Sequence, residues 1–356
     1  MEYKMSLTPE EKGILNGSQG DIHAKVLKSI VEFGEIFGAS RLVQVEGKQH
    51  FVTSFGVAMM KPSIDVINQV VEAGLKVRDG FTVDPRPDFS DMKINLLEKF
   101  IFNRKIYSLQ ESYEKILKKA GLLNNNAFTC TCYLDEVGNT PAFGQVLAWA
   151  ESSAVVYANS VLGARCNRNS GVLEFMSAVA GKVPYYGLLT DEGRKADWII
   201  DIKCSKRPEA QILGSAIGLK VMEDVPYIIG LDRFLGNKIT PEVQAYLKDM
   251  GAASASNGAV GLYHVENLTP EAQKHSKNLI KGNAEVYVID DAELDRVYRS
   301  YPIMWKKGKK KANLCFIGCP HLSTWQLNDW TEKLDKALNE TGRKKVSMKT
   351  VMTAAP

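Results

Sequence analysis

The sequence predicts an α/β protein built on largely parallel sheets. From Asn125 onward, strand-like runs (Phe128 to Leu134, Tyr185 to Leu189, Trp198 to Ile202, Val225 to Ile229, Val260 to Val265, Val286 to Ile289, Leu314 to Ile317) alternate with helical segments. The 356 residues are 45% hydrophobic and 24% charged, with 28 Gly and 13 Pro, an ordinary globular composition. A chain of this length divides its core into two or three lobes of roughly 100 to 200 residues. No fixed-period repeat or low-complexity tract interrupts it.

The elements follow in order. Thr8-Pro9-Glu10-Glu11 supplies a cap, a proline at the first helical position and acids in the first turn, so a helix starts there. A second helix over Ile22 to Phe37 carries Val26, Ile30, Phe33 and Phe37 on one stripe and stops at Gly38. Short apolar runs follow at 41 to 45 and 51 to 55, then a helical segment at about 63 to 73. Asp91 to Lys119 repeats at helical spacing up to Gly121 and predicts one or two exposed helices. A strand over Phe128 to Leu134 and a helix from about Phe143 to Leu162 come next, and Ser347 to Met352 closes the chain as a strand. The expected regions are 1–124, 125–305 and 312–356, the last being the start of a further α/β domain that is incomplete at its C-terminus.

Charge and cysteine usage exclude several classes. Lys plus Arg is 45 against 41 Asp plus Glu, and a surplus of +4 does not point to nucleic acid or membrane. The basic run at 306 to 311 is expected to be a solvated loop. No window approaches 18 apolar residues and Met1 to Met5 lacks the apolar stretch of a secretory signal, which places the chain in the cytoplasm. Six cysteines are too few for a disulfide framework, and in a reducing compartment close pairs suit metal or cluster ligation. Nothing fits a phosphate-binding G-x-x-x-x-G-K-[ST] loop or a G-x-G-x-x-G turn after a strand.

Four stretches carry possible chemistry. Cys130 and Cys132 stand at i and i+2, which on a strand puts both thiols on one face, serving either a metal centre or the core. Cys319 follows Gly318 at the end of an apolar strand and precedes Pro320 and His321, so it is a better ligand than Cys315, which sits inside that strand. Between Trp149 and Arg168, a helix carrying Glu151, Ser152, Ser153, Asn159 and Ser160 among small residues either packs on backbone or faces a ligand. It leads to Arg165 and Arg168, which bind an anion or form surface ion pairs. His264, at the end of the run Val260 to Val265, is an acid, a base or a satisfied edge residue.

Together, Cys130-Thr131-Cys132, Gly138 to Gly144, Ala148 to Ala154, Ala158 to Arg165, Gly258 to Glu266 and Cys319 to Ser323 resemble the large subunit of the aconitase X family. The resemblance spans most of the chain and is strongest from 127 to 323. It implies aconitase-like stacked α/β/α domains and an iron-sulfur hydro-lyase acting on a small hydroxy-carboxylate. A cis-3-hydroxy-L-proline-like substrate is preferred and a phosphomevalonate-like one comes second. It implies a separate small swivelling subunit, which in the family supplies a catalytic serine. By similarity Cys319 and one of Cys130 or Cys132 are cluster ligands. Glu151, His264 and His321 become catalytic candidates, and Thr82, Asp84, Ser152, Asn159, Ser160, Arg165, Asn167 and Arg168 substrate-binding candidates.

Three departures from the family pattern bear on this reading. Cys166-Asn167-Arg168-Asn169 stands where Thr-Asn-Arg-Glu is expected, Asp84 stands where Asn is expected, and the chain stops before the family's third cluster cysteine. An alternative keeps the fold without catalysis, as a metal-free binding protein or one stabilised by zinc on Cys130, Cys132, Cys319 and His321.

Overall fold

A computed structural model of the chain describes residues 3–86, 95–302 and 314–356, so the basic run at 306 to 311 lies outside the described residues. The first helix forms as its cap predicts. Thr8 Oγ1 accepts from Glu11 N while the Glu11 carboxylate accepts from Thr8 N, closing a capping box on α1 (Pro9–Leu15). Helix α2 (Asp21–Ile36) buries Val26, Leu27, Ile30 and Val31, and Gly38 just beyond it takes φ +69°. Phe37 falls past the helix end, exposed and stacked on Tyr186. Strands β1 (Leu42–Gln44) and β2 (Gln49–Phe51), helix α3 (Lys61–Glu72) and strand β3 (Phe81–Val83) follow. Within the long helical stretch, α4 (Leu96–Ile101) and α5 (Gln110–Ala120) flank a π-helical turn at Phe102–Ile106, and Gly121 ends α5 in the left-handed region.

Two expected elements are corrected. Phe128 to Leu134 is not a strand: Phe128 only bridges Val83, and the chain then turns as Thr131 N donates to Thr129 Oγ1. A threonine hydroxyl thus takes a backbone donor that a sheet would have used. The helix expected from Phe143 starts nine residues later. Gly144 at φ +76° breaks the pattern, Trp149–Ala150 is strand β4, and α6 (Ser152–Tyr157) begins only where the Glu151 carboxylate caps it, passing into a π-turn at Ala158–Leu162. Helix α7 (Gly171–Ala180) and strand β5 (Lys182–Pro184) complete this part, and Gly187–Leu189, expected as strand, is a 3₁₀ turn.

The chain divides into two units after Arg194, with Asn159–Gly163 packed into the second, so residues 124 to 126 lie inside the first unit. The first unit holds a parallel sheet of order β3-β2-β4 and an antiparallel pair of β1 with β5. Its core centres on Phe51, Phe81 and Phe175, all fully buried with ring centroids 5.1 to 6.3 Å apart.

The second unit runs β6 (Ala196–Ile202), α8 (Ala210–Val221), β7 (Pro226–Ile229), α9 (Asp232–Leu235), α10 (Pro241–Asn257), β8 (His264–Val265), α11 (Pro270–His275), β9 (Ile280–Ile289), α12 (Asp291–Ser300), β10 (Leu314–Leu322), α13 (Thr324–Glu340) and β11 (Lys349–Ala354). Its main sheet, β8-β7-β6-β9, and the pair β10-β11 are wholly parallel, as the alternating pattern requires. Helices α8 and α10 touch through glycine: a Cβ on Gly214 would stand 2.1 Å from Met250 O. Among the described residues no helix is long and apolar enough to cross a membrane.

Candidate active site

In the first unit the central strand β2 brings His50 beside Thr82 of β3 and Trp149 of β4. All three strands run the same way, and immediately past their ends come Asp84 and Glu151. Parallel sheets collect their ligand groups at this carboxyl edge, because each crossover returns the chain to the other end. A ring nitrogen of His50 and one oxygen each of Asp84 and Glu151 lie within 4.8 Å of one another.

Thr82 holds His50 by one ring nitrogen. Thr82 Oγ1 lies 2.8 Å from His50 Nδ1, 3.0 Å from Asn139 Nδ2 and 3.4 Å from Gln49 O. Asn139 Nδ2 also donates to Gln49 O at 3.0 Å, so the Thr82 hydroxyl bonds His50 Nδ1 whichever of the two carries the hydrogen. This leaves Nε2 facing Asp84 Oδ1 at 3.5 Å, and among the described residues neither atom, both buried, has a hydrogen-bond partner. A donor between them, from the ring or from a bound molecule, satisfies the carboxylate.

Glu151 is arranged differently. Its Oε1 accepts from Ser152 Oγ and Ser153 N, and its Oε2 from Ser153 Oγ and Ala154 N. Those four donors fill the acceptor sites of a carboxylate, so Glu151 serves as the N-cap of α6 and Ser152 as its partner. Burial, then the charge of Asp84, push the Glu151 carboxyl up, while His50 pulls it down. The groups left to meet a ligand are His50 and Asp84.

The cysteine pair adjoins this group. Cys132 is fully buried, and its thiol is pushed well up by burial first and then by Glu151, with the nearby Thr82 hydroxyl pulling it down. Because the segment turns rather than extends, the thiols do not share a strand face, and Cys130 remains partly exposed. Tyr133, next in sequence, stacks on Tyr157 at 3.9 Å.

The other predicted residues are distributed as follows. Arg165 is engaged inside the first unit, Nη1 donating to Leu189 O at 2.8 Å and Nη2 to Asp191 Oδ1 at 2.5 Å. Asn167 is buried and pins the 186–188 turn, donating to Tyr186 O and accepting from Leu188 N; Arg168 is exposed. Asn159 donates to Gly261 O and Ser160 Oγ accepts from Tyr263 N, both fastening a loop of the second unit. His264 is buried there with Nδ1 4.0 Å from a carboxylate oxygen of Glu271. Cys319 is exposed and lies inside β10, where the pairing with β11 shifts register, not beyond the strand as expected, and His321 follows two residues later.

These motifs can now be set beside known proteins. The aconitase X first-domain family model matches residues 4–192 and the second-domain model residues 196–299. The chain belongs to the aconitase X family. A phosphomevalonate dehydratase large subunit from Thermococcus kodakarensis is 33% identical over 336 residues, 93% of this chain and 77% of that protein. A cis-3-hydroxy-L-proline dehydratase from Hypocrea jecorina is 29% identical over 206 residues, 56% of this chain and 33% of that protein. The holo-form crystal structure of Thermococcus kodakaraensis aconitase X superposes with a TM-score of 0.76 at 30% identity, covering 98% of this chain and 88% of that one. This aconitase X chain is accordingly a hydro-lyase with the α/β fold its sequence predicts.

His50, Gln49 and Asn139 escaped the sequence reading as site residues. The available signal was a lone titratable side chain in a short apolar strand, Gln49-His50-Phe51, but nothing local ties it to Asp84, thirty-four residues on. Thiols are the usual ligands of an iron-sulfur cluster; in the first unit Cys130 is partly exposed and Cys132 buried beside the carboxylates, and in the second unit Cys319 is exposed.

Proposed function

We propose that this chain is the large subunit of a cytoplasmic dehydratase that removes water from a small hydroxy-carboxylate, working with a separate small subunit. The observation that carries the reading is the buried pair His50 Nε2 and Asp84 Oδ1, 3.5 Å apart at the carboxyl edge of a parallel sheet beside Cys130 and Cys132. The relatives' designation as large subunits supports the partner. Cys319 with Cys130 or Cys132 would hold an iron-sulfur cluster. When bound, such a cluster supplies a Lewis-acidic iron that weakens the bond to the leaving hydroxyl.

The chain's own residues supply the acid. Thr82, itself held by Asn139, engages the His50 ring at Nδ1, so Nε2 is the nitrogen turned to the reacting group. With Nδ1 engaged by Thr82, an N–H at Nε2, facing Asp84, is the ring donor turned to the leaving group. A base, here the serine the small subunit would supply, takes the proton from the neighbouring carbon; that C–H electron pair becomes the double bond as the carbon–oxygen bond breaks, and the Nε2 proton passes to the departing hydroxyl, which leaves as water. The Glu151 cap fixes the start of α6 so that the neighbouring carboxylate does not swing into the site. Both substrates named for the relatives suit this scheme. The imino acid, cis-3-hydroxy-L-proline, is the first to assay and a phosphomevalonate-like substrate the second.

The test is metal analysis with turnover, on protein co-expressed with its small subunit and purified without oxygen. Iron with acid-labile sulfide, a visible absorption band and dehydration of either substrate are expected. Zinc alone, or no metal and no turnover, would leave a non-catalytic protein of the same fold.

A further inference from the structure

The segment carrying Cys319 is held from both sides. On one side Thr353 Oγ1 of β11 donates to Gly318 O at 2.7 Å. Gly318 has φ +120°, and a Cβ there would lie 2.3 Å from Thr353 O, so only glycine permits the approach. On the other side Lys248 Nζ of α10 donates to His321 O at 3.2 Å.

Lys248 is an unusual tether. It is 2% exposed, and its ammonium meets Asp249 Oδ1 at 2.8 Å. The other Asp249 oxygen accepts from Gln211 Nε2 of α8 and Gln326 Nε2 of α13, each at 3.2 Å. Burying an ammonium costs several kcal/mol unless it is paired and its donors are used. Here one donor goes to the carboxylate and a second to the backbone two residues beyond Cys319. The pairing of β10 with β11 breaks between Ile317 and Leu322, so it is across the Cys319 segment that the Thr353 and Lys248 tethers act, ahead of the Ser323 cap of α13. The thiol so placed lines a cavity of about 640 Å³ whose walls include Tyr246, Asp249, Trp325 and Trp330.

We propose that Lys248 is a positioning residue for Cys319: with Thr353 it clamps the Gly318 to His321 backbone so that the thiol presents at a set place on the cavity wall. This rests on the reading of Cys319 as a cluster ligand. Removing the clamp leaves a mobile ligand, and supporting residues of this kind are worth about tenfold or more in metal affinity.

The experiment uses the full chain with its small subunit. Iron per chain is measured in Lys248→Met, Lys248→Arg and Cys319→Ser. In chelator-treated protein the iodoacetamide alkylation rate of Cys319 is measured against Cys130 by peptide mass spectrometry. Folded Lys248→Met is expected to lose most of its iron and to raise the Cys319-to-Cys130 ratio several-fold, with Lys248→Arg restoring both. Unchanged iron and an unchanged ratio in folded Lys248→Met overturn the proposal. Should Lys248→Met not fold, Thr353→Val, which frees the other side without disturbing a buried charge, has to raise the ratio, and an unchanged ratio there overturns it too. Full iron in Cys319→Ser would refute the ligand reading itself, and the alkylation ratio would still decide whether Lys248 positions the thiol.

Discussion

Replacing Glu174 with Gln should stabilise this protein increasingly as pH rises. Glu174 sits in the first turn of α7, 1% exposed; Oε1 accepts from Asn169 Nδ2 at 2.5 Å, while among the described residues Oε2 lies near Ser177 without a well-formed hydrogen bond. Burial pushes its carboxyl from 4.5 up to about 8, with Asn169 and Ser177 pulling the other way. The raised value sets the sign. The unfolded chain releases this proton from about pH 4.5 and the folded chain holds it to about pH 8, so its contribution is whole below 4.5 and drains away as pH climbs to 8. One proton at about 1.4 kcal/mol per pH unit over that window amounts to about 5 kcal/mol, of which about 3 is already lost at pH 7. A glutamine amide copies the protonated acid in shape and never ionises. Urea titrations of Glu174→Gln and the parent from pH 5 to 9, followed by Trp149 fluorescence in the first unit, should diverge by about 1.4 kcal/mol per unit up to pH 8 and run parallel above it. Parallel curves across the whole range would show that Glu174 ionises normally and that the burial argument fails.

Two other substitutions test the site and the packing. His50→Asn should cut kcat by about 10² to 10⁴ while leaving iron content and cooperative unfolding intact, and Asp84→Asn should do so less severely; single-turnover assays beside metal analysis check both, and full activity in His50→Asn removes it from the mechanism. Gly214→Ala drives a Cβ to 2.1 Å from Met250 O and should cost about 1 to 3 kcal/mol, seen as a lower Tm by calorimetry; an unchanged Tm would mean that α8 and α10 separate freely.

The departures from the family pattern acquire physical roles once the chain is folded. Asn169, where an acid was expected, carries the hydrogen-bond chain from Tyr186 to Glu174. Cys166 is buried, its thiol donating to Trp149 O and Asn167 O, so it is core rather than ligand. Asp84 becomes the partner of His50.

What could be read from the sequence was whatever depends on neighbours a few positions apart, together with motifs long enough to mark a family. The Thr8 capping box, the stop of α2 before Gly38 and the alternation that makes parallel sheets all involve residues within one or two turns of each other. Only the tertiary structure decided the rest. Strand register brings His50 beside Thr82 and leaves Asp84 3.5 Å from it, and no pattern in a linear chain encodes which strands will be neighbours. It also decided that Glu151 caps a helix and that Arg165 is spent on Leu189 and Asp191. A polar side chain shows its valence in the sequence, but whether that valence is free for a ligand depends on which donors and acceptors folding has already placed around it.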